Sequence, residues 1–270
     1  MLGVLDNFAS TWRGSVTDVR LLTLARDLKR RKARERQSLF VAEGVRAVEE
    51  LLHARLAVRG ALTSPALVRT PRGAALRDAL GTQRIEVADV SEPDFLSAAD
   101  TEHPQGVLAI AEVPERTLDA LILGATARLL VLDGIQDPGN VGTLVRTAAA
   151  LGATAVIALP GTADVWNAKA VRSAVGAQFR IPALHATAAA ALPWLRAQGV
   201  PLWGADARGE AIDAARPPAR LAIAFGNEGA GLGDEVRAAV DRLVALPMAA
   251  GVESLNVAVA AGITLYALRP

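Results

Sequence analysis

Apolar and polar positions fall into short alternating blocks along the whole chain. Ten runs have the length and the branched or aliphatic content of buried strands: "SLFVAEG", "VRGALTS", "RIEVADV", "QGVLAIAEV", "RLLVLDG", "TAVIALP", "RIPALH", "VPLWGAD", "RLAIAFG" and "LVALPM". Stretches between them, such as "VRAVEELLHARL", place apolar residues three and four apart, as one face of a helix requires. "VSEPDFLSAAD" opens with Ser91 and has Asp94 three residues later, a helix start resembling a capping box. Strand and helix alternate through both halves, which predicts parallel α/β sheets with helices on both faces. The segment "EVPERT" (112–117) interrupts the pattern as a linker would. Two α/β domains are expected, one over 1–115 and a larger one over 116–270.

Composition removes several classes of chemistry. Half of the 270 residues are apolar and 21% are charged, as in a globular protein. There is no cysteine, hence no disulfide framework, thiolate nucleophile or cysteine zinc site. His53, His103 and His185 are scattered, so no metal is expected. The longest apolar window, "LNVAVAAGITLYAL", falls short of the roughly 18 residues of a membrane span. The start of the chain lacks the basic and apolar blocks of a signal peptide, and a cytoplasmic location is expected.

Charge adds one feature. The net charge is +1, but the interval from Arg13 to Arg36 carries +6, leaving about −5 for the rest. The densest part is "KRRKARER", with Lys29, Arg30, Arg31, Lys32, Arg34 and Arg36 on a segment that reads as a continuation of the helix opened by Thr17 and Asp18. Such a run suits RNA phosphates, and it also suits a solvated helix face. Arg outnumbers Lys 26 to 3, which reflects base composition more than function.

In an open parallel sheet, chemistry gathers at the carboxyl ends of the strands. Three such ends are rich in polar residues. "LDGIQDPGNVGTLVRTAAALG" places Asn140 near a helix start and Arg146 in what counts as its second turn. "FGNEGAGLGDEV" is a glycine-rich turn that holds Glu228. "LPMAAGVESLNVAVAAGITLYAL" breaks at Pro247 and crowds Glu253, Ser254 and Asn256 at a helix start. Taken singly, Asn140 and Ser254 also fit helix caps, Arg146 a surface residue and Glu228 an acid at a helix N-terminus. The glycine-rich turn contains no Lys or Arg, and a carboxylate repels phosphate, which speaks against a phosphate cradle there. Neither dinucleotide nor P-loop fingerprints occur.

"DPGNVGTLVRTAAALG", "FGNEGAGL" and "LPMAAGVESLNVAVAAGITLYAL" resemble, in order and spacing, the three motifs of the SpoU (TrmH-like) RNA ribose 2′-O-methyltransferases of the SPOUT superfamily, over roughly 128–268. "RRKARERQSLFVAEGVRAVEELL" is similar to the small RNA-binding domain that often precedes that catalytic domain. The resemblance implies a mostly parallel sheet closed by a C-terminal trefoil knot, S-adenosylmethionine as methyl donor, no metal, and a homodimer through the C-terminal domain. It implies that the backbone at Gly226, Leu246 and Leu255, with Met248 nearby, holds the cofactor. It points to Asn140, Arg146, Glu228, Ser254 and Asn256 as the catalytic set, with Glu228 paired to Arg146 or to a backbone amide.

A ribose 2′-hydroxyl is a poor nucleophile that must be aligned and relieved of its proton as attack develops. A guanidinium stays protonated, so Arg146 suits phosphate binding and stabilisation of alkoxide charge better than it suits a base. "VWNAKAVRSAVGAQFRIP" resembles the family's Asn, Lys, Arg-Ser and glycine-rich helix pattern, which implies that Arg172 and Ser173 line the RNA side, although a packing role for Ser173 reads equally well. The two-domain layout resembles ribosomal RNA enzymes more than the minimal transfer RNA ones, which implies ribosomal RNA ahead of transfer RNA. The alternatives are a transfer RNA 2′-O-methyltransferase, a base-methylating relative and a non-catalytic RNA-binding protein.

Overall fold

The computed structural model describes residues 16–251 and 254–269, so Arg13 and Glu253 lie outside the described residues. The chain forms two compact units, one of residues up to Glu49 with Ala57–Glu112, the other of Glu50–Leu56 with Val113 onward.

The first unit contains α1 (Val16–Asp27), α2 (Arg31–Gln37), β1 (Leu39–Glu43), α3 (Val45–His53, whose end counts with the second unit), β2 (Val58–Thr63), α4 (Pro71–Thr82), β3 (Val87–Asp89), α5 (Glu92–Ala98) and β4 (Val107–Glu112). The sheet order is β1-β4-β2-β3. β2 and β3 run parallel, but β4 lies antiparallel to both β1 and β2. This sheet is therefore mixed, against the expectation of parallel strands. β4 is central and buried on both faces, and such a strand reads as an unbroken apolar run whichever way it points. Leu21, Leu28, Val41, Leu62, Phe95 and Ile110 form its core. Ser91 caps α5 as expected, accepting from the Asp94 amide.

The basic segment departs from the single helix expected. The chain breaks between α1 and α2, with Arg30 extended at φ −87° and ψ 129°. Arg34 turns back from α2 and donates to the carbonyls of Leu28 at 2.8 Å and Lys29 at 3.0 Å, satisfying oxygens left open beyond α1. These contacts outweigh the helix propensity of the intervening residues.

The second unit is built from β5 (Ala127–Asp133), α6 (Pro138–Ala150), β6 (Ala155–Ala158), α7 (Ala168–Ala174), α8 (Ala177–Arg180), β7 (Ala183–His185), α9 (Ala188–Ala197), β8 (Leu202–Ala211), β9 (Arg220–Gly226), α10 (Asp234–Ala239), β10 (Arg242–Ala245) and α11 (Val257–Ala267). All neighbours in the order β10-β8-β9-β5-β6-β7 are parallel, as predicted. Leu129, Val131, Ile157 and Ala224 pack on one face with Ala191 and Trp194 of α9 and Val236 of α10. Leu130, Leu132, Val156 and Ile223 point to the other face and are equally buried, so both faces are covered. α6, α7 and α11 pack together. Arg116, within the expected linker, donates to the carbonyls of Gln178 and Ile181, which ties that segment to the second unit.

One buried cation closes this unit. Arg128 is 2% exposed and donates to the carbonyls of Ala127, Ala219 and Leu268. It thereby fastens the end of α11 to the start of β5. Burial pulls its guanidinium below the usual arginine range. Arg128→Met keeps much of the volume but removes the donor these carbonyls share, leaving Ala219 only its bond from the Ala127 amide. Urea unfolding is expected to show a loss of about 3 kcal/mol, and an unchanged midpoint would show that water replaces the side chain.

Candidate active site

The three polar strand ends converge in the second unit. α6 begins after Asp137, whose side chain caps the helix by accepting from the Gly139 amide. Lys169 of α7 bonds to the same carboxylate at 2.5 Å and holds it below the usual carboxylate range. Asn140 thus sits in the first turn of α6 as a side chain free to reach outward, not as a cap. Gly142 lets α7 approach closely, because a Cβ there would stand 2.2 Å from the Ala170 carbonyl oxygen and 2.7 Å from the Ser173 Cβ. Ser173 therefore has a packing role. Arg172 is partly buried and already makes a contact within the protein.

The glycine-rich turn is organised by Asn227, a residue the sequence reading passed over. Its backbone pairs with Gly231 in both directions, at 2.9 and 2.8 Å, and its Oδ1 accepts from the amides of Gly229 and Ala230. Its Nδ2 donates to the Gly134 carbonyl at 3.0 Å. Asp133 accepts from the Gly233 amide at 2.7 Å, so two bonds tie the first loop to the second. The Asn-x-Gly pattern of a side-chain-closed turn is the signal that marks Asn227. Gly226 has no room for a side chain, since a Cβ would stand 2.2 Å from the Gly231 carbonyl carbon and 2.3 Å from the Leu232 amide nitrogen. The loop's own folding requires this glycine.

Across these loops runs a chain of side-chain bonds. Asn140 Nδ2 donates to Glu228 Oε1 at 2.7 Å, and Asn256 Nδ2 donates to Asn140 Oδ1 at 3.1 Å. Asn256 also caps α11, its Oδ1 accepting from the amides of Ala258 and Val259. One residue thus fulfils the cap role considered for Ser254 and the site role together. Glu228 meets Asn140, not Arg146. Arg146 lies in the third turn of α6, one later than the count from Asn140, because the helix starts at Pro138. It is exposed and makes no hydrogen bond or ion pair with a described residue.

Beside this chain lies a cavity of about 340 Å³ lined by Gly226, Glu228, Leu246, Met248, Ser254 and Leu255, with Phe225, Val244 and Ala260 supplying apolar wall. β10 ends at Ala245, so the backbone from Leu246 to Met248 lies past the ladder. Among the described residues, no three His, Asp or Glu side chains cluster as a metal site, and no helix is long and apolar enough to cross a membrane.

In the first unit, the basic run is largely spent on internal contacts. Arg30 and Arg36 both pair with Asp27, Arg31 with Glu35, and Lys29 donates to the Ser97 carbonyl. Arg34 is 5% exposed, so the RNA contact expected of it is corrected to a structural role: its guanidinium faces its own backbone. Lys32 is exposed with no ion pair to a described residue.

These elements form an α/β unit with a cavity of mixed polar and apolar lining at the ends of its strands. The SpoU rRNA Methylase family model matches residues 127–266, and the MRM3-like substrate binding domain model matches residues 23–109. The chain belongs to the SpoU rRNA methylase family. It is 36% identical over 247 residues to the 23S rRNA (guanosine(2553)-2'-O)-methyltransferase RlmP of Bacillus subtilis (strain 168), covering 90% of this chain and 93% of that one. It is 32% identical over 251 residues to the 23S rRNA (uridine(2479)-2'-O)-methyltransferase of Streptomyces viridochromogenes, covering 88% of this chain and 85% of that one. The AdoMet-bound rRNA methyltransferase from Sinorhizobium meliloti is similar in structure, with a TM-score of 0.82 at 28% identity over 94% of this chain and 95% of that one.

Proposed function

We propose that this protein methylates a ribose 2′-hydroxyl of ribosomal RNA with S-adenosylmethionine as donor. The observation that carries the reading is the Glu228–Asn140–Asn256 chain of hydrogen bonds beside the cavity, joining all three strand-end loops at one place. The cavity suits the donor. Its volume of about 340 Å³ is within the range of small-molecule sites, its lining combines apolar wall with polar groups, and the backbone past Ala245 is free of ladder pairing. Gly226, Leu246, Met248 and Leu255 would hold the donor. When bound, S-adenosylmethionine supplies an electrophilic methyl group on a sulfonium sulfur.

The residues of the chain divide the remaining work. Glu228 brings a negative charge to the wall of a cavity meant for a cation. Asn140 has its amide committed to Glu228 and its carbonyl to Asn256, so it orients and does not shuttle protons. Ser254, exposed at the cavity, would meet the incoming hydroxyl. Arg146 grips the phosphate beside the target ribose and stabilises developing alkoxide charge. Lys29, Arg30, Arg31, Lys32 and Arg36 of the first unit, with Arg172 of the second, face the RNA substrate, with Lys32 the most available cation.

Leu255, Val259, Ile263 and Tyr266 are 40–59% exposed, and Val259, Ile263 and Tyr266 recur along one side of α11. This apolar stripe supports a homodimer through the C-terminal domain. The trefoil knot near the C-terminus and a cytoplasmic location complete the reading, the knot on family grounds alone.

The test uses labelled S-adenosylmethionine, purified protein and total RNA from a host lacking the gene, followed by mapping of the methylated nucleotide. Label on a ribose of ribosomal RNA is expected. Label on a base, on transfer RNA alone, or nowhere would refute the assignment.

A further inference from the structure

The cavity has a second charged feature, built from residues outside the three motifs. Along the β8–β10 ladder Gly204 pairs with Leu243, but Val244 pairs with Glu210, so Ala205–Gly209 leave the ladder as a bulged excursion. That excursion puts Asp206 and Arg208 in the cavity wall, where Arg237 of α10 joins them. The Asp206 side chain is only 10% exposed. Its Oδ1 accepts from the Arg208 backbone N–H and Nε, both at 3.0 Å. Its Oδ2 accepts from Arg208 Nη2 at 3.0 Å and Arg237 Nη2 at 2.9 Å. These bonds, first those from Arg208, hold the carboxyl well below its usual range.

Both oxygens of Asp206 are thus fully used, and the carboxylate has no capacity left for a ligand hydroxyl. What it does is hold two guanidinium groups side by side. Two cations against one anion leave this wall net positive, while Glu228, bonded to the neutral Asn140, leaves its own wall negative. A ligand in the cavity therefore meets two electrostatic poles. Resting on the methyl-donor reading above, we infer that Arg208 and Arg237 form an anion subsite that takes the α-carboxylate of the donor's amino-acid end.

The charge pattern of the donor decides this orientation. Its sulfonium is repelled by the arginine wall and favoured at the Glu228 wall. Its only anionic group is the α-carboxylate, and planar guanidinium donors match a carboxylate in geometry as well as charge. An RNA phosphate is the competing anion, because Arg208 is 74% exposed.

Calorimetry on the full chain separates these cases. Two probes are used: S-adenosylhomocysteine, which keeps the amino-acid end, and 5′-methylthioadenosine, which lacks it. The parent is expected to prefer S-adenosylhomocysteine. Arg208→Ala and Arg237→Met should each weaken that ligand by about tenfold and leave 5′-methylthioadenosine unchanged, with Arg237→Lys intermediate. An equal loss for both probes would make the cluster merely structural. A retained preference, or a change confined to RNA affinity and its salt dependence, would also overturn the subsite. If the parent binds neither probe, the methyl-donor reading falls and the subsite with it.

Discussion

Replacing Arg146 with alanine is expected to lower the single-turnover rate on the order of a hundredfold or more, as loss of an oxyanion-type donor does. Donor affinity should barely change. Arg146 does not line the cavity, and it makes no bond with a described residue that its removal would break. Its exposure in the third turn of α6 also means that folding should survive the substitution. Arg146→Lys keeps the charge but loses the planar fork, so partial recovery is expected at neutral pH. Single-turnover methylation with saturating donor is the measurement. A parent-like rate in the alanine variant would remove Arg146 from the reaction path. Loss of donor binding would make it structural and shift the chemistry to Asn140, Glu228 or Asn256.

Gly226→Ala should act at the opposite step. The added Cβ would stand 2.2–2.3 Å from backbone atoms of Gly231 and Leu232, which cannot rotate aside as a side chain could. The turn must open, breaking the Asn227–Gly231 pairing and displacing Glu228 from Asn140. Donor affinity is expected to fall on the order of a hundredfold, corresponding to about 3 kcal/mol of overpacking. Gly229→Ala is the control, because its nearest neighbour would be Asn227 Oδ1 at an ordinary 3.6 Å. Equal affinities for the parent and both variants in a donor titration would show that the turn accommodates the methyl group without cost.

The strands were legible because each is a short buried apolar run, and all ten runs read from the pattern contain a strand. Strand direction in the first unit was not legible: "VLAIAE" carries no mark of pointing against β1 and β2. The break in the basic segment was hidden for a different reason. Arg34 is a good helix former locally, and only its bonds to the Leu28 and Lys29 carbonyls show why the helix stops. At the site, resemblance could nominate Asn140, Glu228 and Asn256 but not pair them, since they stand 88 and 116 residues apart and meet only through the sheet order. The Asp206–Arg208–Arg237 cluster was invisible because it depends on a ladder bulge that no spacing rule announces.

The strand order β10-β8-β9-β5-β6-β7 has a consequence for a chain emerging from the ribosome. β5, β6 and β7 are adjacent and can zip together as soon as they are made. β8 comes next in the chain but finds no place beside them, because β9 must first occupy the edge of β5. For that interval β8, with its apolar start at Leu202 and Trp203, is an unpaired strand beside an open sheet edge, a combination prone to wrong pairing during synthesis. Completion waits still longer, until Leu268 reaches Arg128 at the start of β5, 140 residues back along the chain. All six strands precede α11, so the sheet can close before the site does, and a ribosome stalled just short of α11 would carry a sheet without Asn256 and the α11 wall of its cavity.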